Sequence, residues 1–357
     1  MAVHFHTLKV ESIKKETPDC VSIAFTVPDE LKNDFAFEQG QNITIKINIG
    51  EEEVRRSYSI CSAPFENILK VAVKRAMGGK FSAYANDCLK EGDELEVLPP
   101  TGKFNCPLKN TNQKQYAAFA AGSGITPIIS IIKTTLQAEE HSSFTLVFGN
   151  RSRNSIIFFE ELEGLKNKYL QRFNYINILS REKTDASINY GRIDTQKLIE
   201  LNKLINYKLI DEYFICGPEE MTFCVKNFLE KENVEKNKIH FELFGAAARQ
   251  KKKVQNAVYK DSGPKSRITV KLDGRSFDFD LGFNSETILN AALQQGADLP
   301  FACKAGVCCT CKAKLLAGKV KMDINWGLDQ EEIEQGFILT CQSHPVSEKV
   351  MVDFDVK

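Results

Sequence analysis

The sequence has no excess of charge of either sign: 47 Lys+Arg are matched by 47 Asp+Glu. It therefore lacks the overall basicity with which nucleic-acid-binding proteins hold phosphates, and no nucleic-acid partner is expected. No apolar run approaches the length that spans a bilayer, so no membrane partner is expected either. The opening stretch MAVHFHTLKVESIKKE contains no apolar core of signal-peptide length, and a cytoplasmic location is the expectation. There is no internal repeat and no low-complexity tract.

What is present is length, apolar content and thiol. With 357 residues the chain exceeds one small core, so two or three domains are expected. A hydrophobic fraction of 43% with 26% charged residues is that of an ordinary globular protein. The 11 cysteines are odd in number and scattered along a long chain, a pattern that suits free thiols, metal ligands or redox groups better than a disulfide framework.

Three segments differ in pattern. Residues 1–107 contain short alternating runs, CVSIAFTV (20–27), NITIKINI (42–49), LKVAVK (69–74) and DELEVL (93–98), separated by turn residues. These imply a small antiparallel β-barrel. Residues 108–245 switch to apolar strands alternating with helices, including YAAFAAG (116–122), FTLVFGN (144–150), YINILS (175–180), EYFICG (212–217) and IHFELF (239–244). That alternation implies an α/β domain with a parallel sheet covered on both faces. Residues 246–267 are small and polar and read as a linker, with a surface loop as the alternative. Residues 268–357 open with a new strand pattern, ITVKLDGRSFDFDL (268–281), and form the third domain.

The strongest chemical signal lies in LPFACKAGVCCTCKAKL (299–315), with four cysteines in nine residues. Cys303, Cys308 and Cys311 are spaced C-x4-C-x2-C, and Cys341 follows after a gap of twenty-nine residues. This is plant-type [2Fe–2S] spacing. Zinc sites more often show two separated C-x2-C pairs, and only Cys308/Cys311 has that gap. Small neighbours, Ala302, Ala305 and Gly306, let backbone amides approach the sulfurs. Residues 268–357 resemble a plant-type ferredoxin domain, an α+β β-grasp fold. The resemblance implies Cys303 and Cys308 on one iron and Cys311 and Cys341 on the other, with Cys309 a packed bystander. The module holds 13 Asp/Glu against 9 Lys/Arg, a docking face for a basic partner or simply a solvated surface.

Two weaker motifs lie in the barrel. In RSYSI (56–60), Arg56 is placed to pair with a flavin phosphate, Tyr58 to stack on the isoalloxazine and Ser59 to hydrogen-bond near its N5. In VKRAMGGKFSAY (73–84), a glycine turn precedes a helix opened near Ser82, which suits a pyrophosphate. Candidate flavin contacts are Arg56, Ser57, Tyr58, Ser59, Val73, Lys74, Gly79, Lys80, Phe81 and Ser82; plain surface strand and turn are the alternatives.

In the second segment AAGSGITPIIS (120–130) sets Gly122, Ser123 and Gly124 between a strand and a helix carrying Thr126 and Pro127. A pyrophosphate cradle and a mere tight turn are both open. In this order, and with CGP (216–218), the motifs resemble the ferredoxin–NADP reductase superfamily. The resemblance covers essentially the whole chain. It implies Cys216, Gly217 and Pro218 beside the nicotinamide ring, Phe244 covering the flavin, and Cys216, Ser59 and Glu242 as the catalytic set. It also implies Ser180 and Arg181, in LSRE (179–182), gripping a 2′-phosphate, with Arg151 and Arg153 assisting; this favours NADPH over NADH.

The expectation is an NAD(P)H-dependent oxidoreductase with FAD and a [2Fe–2S] cluster that passes electrons to a separate di-iron oxygenase. The alternatives are a reductase for another oxygenase, hydroxylase or acyl desaturase, and, in a different class, a non-catalytic electron carrier or redox sensor.

Overall fold

The computed structural model describes residues 4–244, 264–283 and 285–356. The expected linker therefore lies outside the described residues except at its end, where residues from Lys265 onward already belong to a strand.

The first domain is an antiparallel barrel of β1 (His6–Thr17), β2 (Cys20–Thr26), β3 (Asn42–Ile49), β4 (Glu52–Ser59), β5 (Leu69–Lys74) and β6 (Glu94–Thr101), in the order β4-β3-β6-β1-β2-β5. A bridge from Ile60 to Val71 joins the two edges. Ile23, Ile43, Ile45, Val71 and Val97 fill the interior, as strand alternation requires. Helix α1 (Lys80–Asp87) packs on the barrel through Phe81 and Ala85.

The second domain has five parallel strands, β7 (Gln115–Ala121), β8 (Ser143–Asn150), β9 (Phe173–Leu179), β10 (Glu212–Gly217) and β11 (Ile239–Leu243), in the order β11-β10-β7-β8-β9. Its helices are α2 (Ile125–Ala138), α3 (Phe159–Lys168), α4 (Thr195–Leu201) and α5 (Glu219–Lys231). Alternate residues of β7 enter different cores: Tyr116, Ala118 and Ala120 join Ile128 and Ile132 of α2, while Ala117 and Phe119 join Leu198 of α4 and Val225 of α5. Both faces are thus covered, which is why these strands read as continuous apolar runs.

The third domain carries β12 (Lys265–Leu272), β13 (Arg275–Gly282), β14 (Lys312–Ala317), β15 (Val320–Met322), β16 (Phe337–Leu339), β17 (Ser343–Pro345) and β18 (Lys349–Asp353). Its main sheet runs β13-β12-β18-β14-β16, with β12 and β18 parallel, against helix α6 (Ile288–Gln294). Short α7 (Gln330–Glu334) precedes β16. Thr287 caps α6 by accepting the Asn290 N–H, so the helix starts at Ile288.

Buried ion pairing fixes the second domain on the first. Lys133 of α2 is 4% exposed and reaches both Glu66 oxygens of the barrel domain, at 3.1 and 2.8 Å, and Glu161 of α3 at 2.8 Å. Beside it the Ser130 hydroxyl donates to the Ser62 carbonyl at 2.6 Å.

Candidate functional site

The strand order of the parallel sheet reverses between β7 and β10, and a ligand crevice is expected at their carboxyl ends. The Gly122–Gly124 turn lies there. A Cβ on Gly124 would sit 2.1 Å from the Cys216 carbonyl oxygen, so only glycine lets the turn meet the end of β10. Thr126 donates its hydroxyl to the Ser123 carbonyl at 3.0 Å and rigidifies the turn. Pro127 is buried within the first turn of α2.

Two side chains at these strand ends are buried with polar atoms that lack partners: both side-chain atoms of Asn150, ending β8, and the Thr222 hydroxyl in the first turn of α5. Unsatisfied buried polar atoms are costly, and a nucleotide in the crevice offers them hydrogen bonds. At the outer edge the Arg181 N–H donates to the Arg151 carbonyl at 2.8 Å, and Ser180 donates its hydroxyl to the Asn150 carbonyl at 3.2 Å. Arg151 and Arg181 are both exposed at this one corner, which suits a phosphate dianion. Arg153 instead lies over Phe159, 4.7 Å from its centroid, and its backbone N–H donates to Glu182.

Parallel pairing of β10 with β11 sets Cys216 beside Glu242. The Ser59 hydroxyl, from the barrel, donates to Glu242 Oε2 at 3.4 Å. The three residues expected to be catalytic thus meet across a domain boundary. Ser59 and Glu242 lie 183 positions apart in sequence, so their meeting is a product of the fold alone.

Burial pushes the Glu242 carboxyl up to about 7, the Ser59 hydrogen bond opposing the rise. A group so poised can hold or release a proton near neutral pH. Cys216 is fully buried, and burial, reinforced by Glu242, pushes its thiol well above the ordinary range. The Phe244 N–H donates to the Gly217 carbonyl at 3.3 Å, which sets Phe244 at the end of β11. Pro218 is the residue before the first turn of α5.

In the barrel, Arg56 is exposed and donates to the Arg55 carbonyl at 2.6 Å. The Ser57 hydroxyl meets that of Thr44 at 3.1 Å. Tyr58 packs on Phe81, centroids 5.4 Å apart, and Val73 is buried in the barrel core. Lys74 is paired with Asp19 at 3.7 Å, and a Cβ on Gly122 would come within 3.9 Å of its Nζ. Ser82 accepts the Ala76 N–H at 3.0 Å and donates to the Gly79 carbonyl at 3.2 Å, closing the loop before α1. That loop borders an open cavity of about 500 Å³ lined by Asp19, Arg75 to Lys80 and Ala83, at the N-terminus of α1, where Arg75 pairs with Asp87 and Lys80 with Glu52. Open space, cations and a helix start fit a nucleotide phosphate.

The cysteines of the third domain converge in two pairs. Cys303 and Cys308 sulfurs are 3.1 Å apart, and Cys311 and Cys341 are close enough that each thiol shifts the other's acidity. Hydrogen bonding from Cys308, with help from the Ala305 and Val307 amides, brings Cys303 down to about 7. Cys311 likewise lowers Cys341, aided by the Gly306 amide. Among the described residues no three Cys, His, Asp or Glu side chains meet as they would around a single metal ion. Soft sulfurs in two adjacent pairs with amide donors fit a two-iron cluster better than mononuclear zinc. Cys309 faces the barrel instead, near the Thr101 hydroxyl, and burial pushes its thiol up to about 11.

The three domains meet around a cavity of about 1250 Å³ lined by Thr101 and Phe104 of the barrel, Phe241 and Glu242 of β11, and Cys308, Cys309 and Trp326 of the third domain. Several residues that shape the domain contacts and the nucleotide crevice carry no motif that singles them out in the sequence: Thr44, Arg55, Asn150, Lys133 and Trp326.

Known proteins match this architecture domain by domain. The oxidoreductase FAD-binding domain matches residues 7–106, the oxidoreductase NAD-binding domain 119–227 and the 2Fe-2S iron-sulfur cluster binding domain 270–346. The chain is 44% identical to a subunit of 1,2-phenylacetyl-CoA epoxidase from Escherichia coli (strain K12), over 99% of this chain and 98% of that protein. It is 34% identical to the ferredoxin reductase component of 3-ketosteroid-9-alpha-monooxygenase from Rhodococcus rhodochrous, over 97% and 96% of the two chains. The solved structure of phthalate dioxygenase reductase, described as modular for electron transfer from pyridine nucleotides to [2Fe–2S], matches with a TM-score of 0.58 at 25% identity, covering 98% of both chains. No helix among the described residues is long and apolar enough to cross a membrane. The chain belongs to the FAD- and NAD-binding oxidoreductases that carry a C-terminal [2Fe–2S] domain, the reductase components of oxygenase systems.

Proposed function

We propose that this protein is the cytoplasmic reductase of a phenylacetyl-CoA epoxidase, drawing electrons from NADPH and delivering them to a di-iron oxygenase component. The observation that carries the electron path is the convergence of the Ser59–Glu242–Cys216 group and the Cys308–Thr310 loop on one junction. The choice of oxygenase rests on 44% identity to the epoxidase component along the whole chain, against 34% to the steroid monooxygenase component.

A bound flavin supplies the conversion of a two-electron hydride donor into single electrons that an iron–sulfur cluster can accept. The residues of the chain bind and orient. Gly122, Ser123 and Gly124 cradle the dinucleotide pyrophosphate, with Thr126 and Pro127 shaping the helix start. Ser180, Arg181 and Arg151 hold the 2′-phosphate that distinguishes NADPH. Cys216, Gly217 and Pro218 wall the nicotinamide pocket. Arg56, Lys80 and the loop closed by Ser82 hold the flavin phosphates, while Tyr58 and Phe244 cover the ring. Glu242, oriented by Ser59, holds the proton that accompanies reduction. Cys303, Cys308, Cys311 and Cys341 hold the cluster. The domains are taken as 1–107, 108–245 and, from the start of β12, 265–357, with 246–264 as the linker.

The test is twofold. Purified holoprotein should reduce cytochrome c with NADPH, and with the purified epoxidase oxygenase component it should support NADPH-dependent epoxidation of phenylacetyl-CoA. Absence of NADPH-dependent reduction overturns the reductase reading. Reduction without epoxidation, alongside support of another oxygenase, overturns the choice of partner.

A further inference from the structure

Strand β4 has two faces with different neighbours. Val54 and Tyr58 point to the barrel core, whereas Arg55 and, opposite Ser57 on β3, Thr44 reach the third domain. Arg55 is 6% exposed, a rare degree of burial for an arginine. Its guanidinium donates to the Leu299 carbonyl at 3.2 Å, to Asp298 Oδ1 at 3.1 Å and to Glu53 Oε1 at 2.7 Å. It also lies 4.3 Å from the centroid of Phe301, whose ring is contacted at 4.3 Å by Lys304 as well. The segment so gripped ends two residues before Cys303. Close by, the hydroxyls of Thr44 and Thr310 meet at 3.3 Å, and Thr310 is next to Cys311.

We propose that Arg55 is a positioning residue that fixes the [2Fe–2S] domain on the flavin barrel, setting where the cysteine loop sits relative to β4. This rests on the reductase reading above. Other contacts that join the third domain to the rest are more open to water. Lys103 bonds Asp329 at 3.0 Å and Glu332 at 3.1 Å, but its side chain is 60% exposed, and such pairs contribute little. His4 reaches Asp273 at 3.2 Å from a side chain that is 64% exposed. Trp326 meets Phe223 of α5 edge-on at 5.6 Å and remains 38% open to solvent. Among these contacts Arg55 alone combines burial, a fork of hydrogen bonds and ring stacking, a set that lysine cannot reproduce.

Trp326 is the single tryptophan of the chain and lies at another contact of the same domain, so it reports docking directly. Holoprotein carrying Arg55→Ala, and separately Arg55→Lys, is compared with wild type for acrylamide quenching of Trp326, for the rate of flavin reduction by NADPH and for the rate of subsequent cluster reduction. Iron content and the cluster EPR signal establish that the domain itself is folded. The expected result is more efficient quenching of Trp326 and cluster reduction slowed by about tenfold or more, since small misplacements of reacting groups are costly. Flavin reduction by NADPH should stay within about twofold of wild type, because the hydride site shares no contact with Arg55. Arg55→Lys should shift both readouts in the same direction by less, and it decides the matter if the alanine variant does not fold. Unchanged quenching and an unchanged cluster-reduction rate in a folded variant overturn the proposal. Failure of wild-type flavin to accept electrons from NADPH would instead overturn the reductase reading, so the two failures are distinct.

Discussion

Replacing Lys133 by methionine removes the buried cation that ties the nicotinamide domain to the barrel while keeping most of the side-chain volume. Lys133 is 4% exposed, and its partners Glu66 and Glu161 are 28% and 31% exposed. Breaking a fully buried pair from one side costs about 3–5 kcal/mol. Water can partly resolvate these two carboxylates, which reduces the expected loss to about 2 kcal/mol. With the barrel and the nicotinamide domain unfolding as one unit, residues 1–245, that lowers the unfolding midpoint by about 4–8 °C. Burial alone would lower the lysine's pKa, but the two carboxylates outweigh it and raise it. The contribution is therefore fully present below the unfolded lysine value and is lost only as pH rises through the folded one, so neutral buffers suffice. The assay is thermal release of flavin fluorescence from the holoprotein. Adding Glu66→Gln and Glu161→Gln to Lys133→Met should recover most of the loss, because the unpaired charges go with it. An unchanged midpoint for the single variant, or a triple variant no more stable than the single one, refutes the reasoning.

Three further outcomes can be checked. Cys341→Ser should abolish the rhombic EPR signal of the reduced cluster while flavin is retained, whereas Cys309→Ser should keep the signal; the reverse pattern would reassign the ligands. Arg181→Ala should raise KM for NADPH by about tenfold or more and leave KM for NADH nearly unchanged, as loss of a phosphate contact predicts. Equal effects on both would remove the case for a 2′-phosphate site. Burial would raise the Glu212 carboxyl, but hydrogen bonds from His240 at 2.9 Å and Lys114 at 2.8 Å outweigh it and hold it below the usual value. Its contribution is present above the unfolded glutamate value and lost as pH falls through the folded one. Glu212→Gln should thus be less stable than wild type at neutral pH by circular dichroism, with the difference vanishing in acid; a constant difference at all pH values would contradict this.

The strands most legible in the sequence are those with a clear inside and outside or with two covered faces. NITIKINI, LKVAVK and EYFICG coincide with β3, β5 and β10. Strand β1 is hard to read because its run HTLKVESIKKET buries only Leu8, Val10 and Thr17 and so shows little alternation. Helix α4 is only seven residues long, and β15, β16 and β17 have three residues each, too few to display a period. Within the site, the cysteine spacing is readable because three of the four thiols share one short loop. Arg55 is not, because its meaning lies in Asp298, 243 positions away. Lys133 and Glu66, 67 positions apart, are illegible on the same ground. Asn150 looks like an ordinary strand end until burial shows that both of its polar atoms lack partners.

At the doubled cysteine, 308 and 309, spacing and packing each settle a different question. Spacing separates the two: Cys308 pairs with Cys303 at 3.1 Å, and Cys309 does not join that pair. It says nothing of what Cys309 does instead. The fold turns Cys309 to the junction cavity, with Thr101 of the barrel near its thiol, while the next residue, Thr310, meets Thr44. A small apolar thiol suits that position, since it packs against a neighbouring domain without demanding a strong hydrogen-bond partner. A lysine or glutamate there would force a charge into the contact and push the loop away from the barrel. On the ligand assignment proposed above, Cys308 belongs to the cluster and Cys309 to the docking surface, so one loop carries both a proposed iron ligand and part of the contact that positions it.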